Sequence, residues 1–275
     1  MSFKTILAVF GASEPMRDLQ IAAELCDEVL AHLSAIVVGQ APQLGRYPAI
    51  TPAWVEQRER SLQALGQSVV HAREMLLARG TSFDVDSIYA EVAAADYDIG
   101  ERAIYSDLLF VGPTLFQDDS LKRQAIGGGL LQTGRPVLLV PPAAKPTLKP
   151  KTVLLAWDSR AQCAHAAREA LALMKRADSV RVTMVDPVAA LRASGSEPGA
   201  DVAAYLARHG IKVTIDALPS GQLPIAQVLQ RHARDVAADL LVMGAYGHSR
   251  LREFIFGGVT RSMLDDAELP VLMAR

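Results

Sequence analysis

The residues best suited to hold a ligand lie near the carboxyl end of the chain. The stretch Gly244-Ala-Tyr-Gly247-His-Ser-Arg-Leu-Arg-Glu-Phe-Ile-Phe-Gly257-Gly258-Val259-Thr260 follows a short apolar run ending at Met243. A glycine at the carboxyl end of a strand lets backbone approach a sugar or a phosphate with no Cβ in the way. The pair Gly257-Gly258 stands just before a helix start, where unpaired N–H groups and the helix dipole favour an anion. Two such turns on either side of a loop can hold the two ends of a nucleotide. The same glycines would serve equally well to end a strand and to break a loop, because glycine patterns are weak signals.

Other chemistries find no support. The chain has no Gly-x4-Gly-Lys-Ser/Thr, no Gly-x-Gly-x2-Gly and no Gly-x-Ser-x-Gly. None of the six histidines is spaced with cysteine or carboxylate as a metal ligand, so no metal is expected. His248, inside the glycine loop, reads as a solvent-exposed residue, and Asp265-Asp266 as surface near a helix end. Asp118-Asp119 suits the opening of a helix, where carboxylates complement the dipole. The two cysteines, Cys26 and Cys163, sit in helical apolar patterns and read as free buried thiols of a reducing compartment. No activated nucleophile or acid pair is apparent, and no catalytic residue is assigned.

The elements that must position the glycine stretch occur twice. Lys4-Thr-Ile-Leu-Ala-Val9 is echoed by Lys151-Thr-Val-Leu-Leu-Ala156, an offset of 147 residues. Asp107-Leu-Leu-Phe-Val-Gly112 is echoed by Asp239-Leu-Leu-Val-Met-Gly244 at an offset of 132, and Pro136-Val-Leu-Leu139 by Pro270-Val-Leu-Met273 at 134. Three strand-like segments recur in order, so the halves read as diverged copies. The shrinking offset puts extra residues between the first and middle strands of the first copy, in the helical stretch 53–79. The proline-rich segment 141–150 reads as a stiff connector between domains at 1–142 and 151–275. In the second half, strands are predicted at 152–156, 180–185, 211–217, 240–243 and 271–274. Helices are predicted at 160–175, 201–208, 225–237 and 258–266. Alternating strands and helices demand right-handed crossovers and a covered parallel sheet. The expected fold class is therefore α/β: two tandem doubly wound, Rossmann-like domains, each with a five-stranded parallel sheet. Ligands of such sheets bind beyond the carboxyl ends of the strands.

Composition agrees with a globular protein. Half of the 275 residues are hydrophobic, which excludes a disordered chain, and a net charge of −2 offers no general pull toward nucleic acid or anionic membrane. No apolar run is long enough to span a bilayer, and the N-terminus reads as a strand rather than a signal peptide, so a soluble cytoplasmic protein is expected.

Gly244-x2-Gly247-x9-Gly257 after a buried strand, together with Leu154-Leu-Ala-Trp-Asp158-Ser159 at the start of the second half, resembles the universal stress protein family. The resemblance covers the whole chain as a tandem of two domains of adenine-nucleotide alpha-hydrolase-like fold. It implies ATP or AMP, with or without magnesium, in the second domain. Asp158 would sit beside ribose and base, with Ala156 and Met184 flanking adenine. Met243 and Gly244 would line base and ribose. Gly247, Gly257, Gly258 and Val259 would offer N–H groups to phosphates, and Thr260 a hydroxyl. Gly258 departs from the family, which has Ser or Thr there; a hydroxyl bond to a charged group is worth roughly 1.5–3 kcal/mol. In the first half Phe10 stands in the aspartate's place, and Gly112 is followed by Pro113-Thr-Leu115. There Gly127-Gly-Gly129 keeps a second glycine cluster, with 14 residues between it and Gly112 where 12 separate Gly244 from Gly257. The first site is therefore expected not to bind nucleotide.

The expected role is stress response or signalling without enzymatic activity beyond slow ATP hydrolysis. The alternative is an interaction or small-molecule-binding module without nucleotide, built as an intramolecular pseudo-dimer, with a further homodimer left open. An ATP-cleaving ligase or hydrolase of related strand order is disfavoured, because neither Asp158-Ser-Arg-Ala161 nor Gly11-Ala-Ser-Glu14 is a serine-glycine-rich loop.

Overall fold

A computed structural model describes residues 3–13, 15–41, 51–90, 94–187, 197–245 and 258–275. The chain divides into two compact units between Val137 and Leu138. In the first unit the elements run β1 (Thr5–Gly11), α1 (Met16–Val29), β2 (His32–Gln40), α2 (Pro52–Arg79), β3 (Phe83–Ala90), α3 (Ala95–Ala103) and β4 (Leu108–Val111). They continue through α4 (Pro113–Gln117), α5 (Asp119–Ile126) and a π-helical turn over Gly127–Gln132 to β5 (Val137–Leu139), the strand in which the division falls. Spatial order is β3-β2-β1-β4-β5. The second unit runs β6 (Thr152–Ala156), α6 (Ala161–Glu169), α7 (Leu171–Met174), β7 (Ser179–Val185), α8 (Ala200–Arg208), β8 (Val213–Leu218), α9 (Ile225–Asp235), β9 (Leu240–Gly244), α10 (Gly258–Asp266) and β10 (Val271–Ala274). Its order, β8-β7-β6-β9-β10, matches that of the first unit. The paired strands β1, β2, β3 and β4 are parallel, as are β6 to β10.

Central strands are apolar along their length because helices cover both faces. Ile6 to Val9, Leu108 to Val111, Val153 to Leu155 and Leu240 to Val242 are all nearly inaccessible. The edge strand β8 instead alternates exposed and part-buried positions. Helix ends follow local chemistry. Thr51 accepts from the Trp54 N–H at 3.2 Å, Pro52 supplies a preset first turn, and Gly80 closes α2 at φ 74°. Asp118 does open α5, accepting from the N–H groups of Ser120 and Leu121 at 3.0 Å. The 28 residues of α2 stand where the second unit has the nine of α8, which accounts for the shrinking offset. The single helix predicted over 160–175 is divided at Ala170, whose N–H is shared by the carbonyls of Ala166 and Arg168.

One contact recurs almost atom for atom. Asp107 Oδ2 accepts from the N–H groups of Lys4 (2.7 Å) and Thr5 (3.0 Å), and its own N–H reaches the Thr5 carbonyl at 2.9 Å. Asp239 Oδ2 accepts from Lys151 (2.8 Å) and Thr152 (2.9 Å), and its N–H reaches the Thr152 carbonyl at 2.9 Å. Each carboxylate fastens the amino end of a middle strand to the amino end of the first. Both cysteines are free and buried, as expected.

Candidate functional site

In the second unit the carboxyl ends of β6, β7 and β9 and the start of α10 enclose a cavity of about 220 Å³. Ala156, Trp157 and Asp158 enter it from β6, Met243 and Gly244 from β9, and Gly258, Val259 and Thr260 from α10. Asp158 is half exposed at the rim, where Oδ1 accepts from the Arg160 N–H (3.0 Å) and the Cys163 thiol (3.0 Å). The carboxylate thus orders the turn into α6 while keeping a face toward the cavity. Burial, reinforced by the hydrogen bond to Asp158, pushes the Cys163 thiol up to about 12, so it stays protonated at neutral pH and is no nucleophile.

Gly244 has a reason unseen in the sequence. A Cβ there would stand 2.6 Å from the backbone of Gln162 and Cys163, so its absence lets α6 seat on the end of β9. Gly258 is the opposite case: exposed, outside the left-handed region, and with nothing among the described residues within 4 Å of a Cβ. Thr260 is buried against the cavity. Gly247, Gly257 and His248 lie outside the described residues.

β7 and α9 also contribute to the cavity wall. Because side chains alternate across a strand, Thr183 and Val185 face the cavity, joined by Ile225 and Leu229 from α9. Met184 corrects the expectation: its side chain lies on the other face of β7, where a Cβ on Gly199 would stand 2.8 Å from its Cε. Thr183 is fully buried and its Oγ1 has no hydrogen-bond partner among the described residues. Its register partner Asp216 is held by Arg181 through two 2.7 Å bonds and by His232 at 2.8 Å. Burial alone would raise the Asp216 carboxyl, but the bonds from Arg181 and His232 outweigh it and hold it below its usual range. The sequence offered one signal for Thr183 and Val185, the two-residue period of a strand ending beside the site.

The first unit also has a cavity at the carboxyl ends of β1 and β4, about 230 Å³ and lined by Phe10, Gly11, Asp18 and Thr114, but one of its own side chains occupies the backbone donors there. Asp18, 1% exposed on α1, accepts from the N–H groups of Thr114 (2.9 and 3.1 Å) and Leu115 (2.9 Å) after β4. A Cβ on Gly112 would stand 2.4 Å from Asp18 Cγ. Burial raises the Asp18 carboxyl, opposed by those backbone donors. The residue that matches Asp158 is Gly11 and not Phe10: counting from the clasped threonines Thr5 and Thr152, Phe10 falls opposite Trp157. The triplet Gly127-Gly-Gly129 is not a phosphate turn either. It lies past the start of the last helical segment, where Cβ atoms would stand 2.5 Å from the Asp96 carbonyl and 2.7 Å from Leu109. These glycines let the π-helical turn pack closely on α3 and β4.

The cavity of this parallel α/β unit thus lies at the carboxyl edge of its strands, where ligands of such sheets bind. Residues 149–275, which lie in the second unit, match the Universal stress protein family. Universal stress protein Slr1230 of Synechocystis sp. is 29% identical over 147 residues, 51% of this chain and 47% of that protein. The chain therefore spans about half the length of that curated relative. The crystal structure of a universal stress protein from Archaeoglobus fulgidus aligns over 100% of this chain and 97% of its own, with TM-score 0.67 and 13% identity. A putative universal stress protein from Pseudomonas aeruginosa aligns over 99% and 93%, with TM-score 0.56 and 17% identity. These two structural likenesses speak for the fold. No helix among the described residues is long and apolar enough to cross a membrane.

Proposed function

We propose that the second unit binds an adenine nucleotide, ATP or AMP, and that the chain acts in stress response or signalling through that binding. The observation that carries the reading is convergence: Ala156, Asp158, Met243, Gly244, Gly258, Val259 and Thr260, drawn from three separate elements, line one cavity. The cavity suits the group. Apolar walls at β7 and α9 accept a flat base, Asp158 at the rim accepts from ribose hydroxyls, and the unpaired N–H groups at the start of α10 favour phosphate oxygens. The ligand would be held rather than turned over, with the Cys163 thiol protonated and tied to Asp158. Asp18, seated on the N–H groups after β4, supports a first unit that takes no nucleotide.

Titrating the protein calorimetrically with ATP and magnesium tests this directly. Saturation at one nucleotide per chain is the expected result, and two per chain would show that Asp18 is displaceable. No heat at millimolar ATP would favour the interaction-module reading, for which the missing hydroxyl at Gly258 is the specific support.

A further inference from the structure

The cavity of the second unit holds a polar atom that the fold leaves unused. Thr183 Oγ1 is buried without a hydrogen-bond partner among the described residues, and Thr183 lines the cavity. A buried hydroxyl with no partner destabilises a fold, so such a group calls for an explanation. The obvious acceptor is engaged elsewhere: Asp216, opposite Thr183 in the ladder, is bound by Arg181 and His232. The Thr183 carbonyl takes the Trp157 N–H at 2.9 Å and does nothing for the hydroxyl. Thr183 is joined in the cavity wall by the apolar side chains of Val185, Ile225 and Leu229.

We infer that Thr183 is the residue that reads the base of the bound nucleotide, an inference resting on the nucleotide reading above. A flat heterocycle suits these apolar side chains, and its edge brings the partner that Oγ1 lacks. A hydroxyl both donates and accepts, so it pairs with a ring nitrogen or with an exocyclic amino group. An apolar ring of the same size would leave it unpaired, and the cavity therefore selects a heterocycle over a hydrocarbon.

The test compares Thr183→Val, of equal shape without the hydroxyl, and Thr183→Ser, which keeps it. ATP and adenosine binding are measured by calorimetry, and melting temperature is measured without ligand. Thr183→Val is expected to weaken ATP and adenosine by the same factor, about tenfold or more, while Thr183→Ser stays near the wild type. Unliganded Thr183→Val should melt no lower than the wild type, since an unpaired buried hydroxyl has been removed. A lower melting temperature would assign the hydroxyl a structural role and overturn the inference. So would unchanged affinity in Thr183→Val, a loss confined to ATP, or a wild type that binds ATP but not adenosine; in those cases nucleotide binding itself stands. A wild type that binds neither overturns both readings.

Discussion

Gly258 and Gly244 are both glycines of the second-half motif, yet their surroundings separate them. A side chain at Gly244 would collide with the backbone of α6, whereas one at Gly258 would meet none of the described residues within 4 Å. Gly258→Ser therefore adds a hydroxyl beside the first turn of α10 without displacing any described residue. It is expected to tighten ATP by about tenfold or more, the equivalent of roughly 1.5–3 kcal/mol for a bond to a charged group, and to leave adenosine unchanged. Calorimetry with both ligands checks this; equal gains for both would place the new hydroxyl away from the phosphates. Sequence spacing located Asp158 and the start of α10 because these are local signals. It misplaced Met184 because one step along a strand moves a side chain to the opposite face. It could not see why Gly244 is glycine, because Gln162 and Cys163 approach from a distant part of the chain.

Among the elements, β7, β8 and α9 are joined beneath the cavity by Arg181, Asp216 and His232, all largely buried. Asp216→Asn keeps the shape but removes the charge that holds Arg181, and should cost about 2 kcal/mol at neutral pH. The sign with pH follows from the lowered carboxyl. Its stabilisation is fully present above the usual value of 3.8 and is lost as pH falls below that value. Urea denaturation of wild type and variant should thus show a gap at pH 7 that narrows below that value, and a constant gap would mean the carboxylate is not the stabilising group. Most elements were legible from periodicity, as α10 and β10 show. The first-unit helices were less so: α4 and the π-helical turn depend on Asp18 and on close packing with α3, neither of which leaves a periodic trace.

At the scale of the whole molecule, two units of equal strand order differ in what stands at their carboxyl edges. One presents a cavity lined by Asp158 and Gly258, whereas the cavity of the other holds an internal carboxylate already bonded to the backbone N–H groups after β4. Saturating ATP should therefore slow hydrogen exchange in β6, β7 and α10 and leave β1, β2 and β4 unchanged. At a hundredfold excess over Kd the gain is about 2.7 kcal/mol. New protection at the ends of β1 and β4 would show a second nucleotide in the first unit.

The duplicated clasps of Asp107 and Asp239 sit at the amino ends of the strands, opposite the edge where ligands are met. Each copy thus carries its fastening and its ligand edge at opposite poles. The residues at one pole differ between the copies while the clasp at the other is kept. Inheritance of the fold and freedom of the site are, in this chain, properties of two different edges of one sheet.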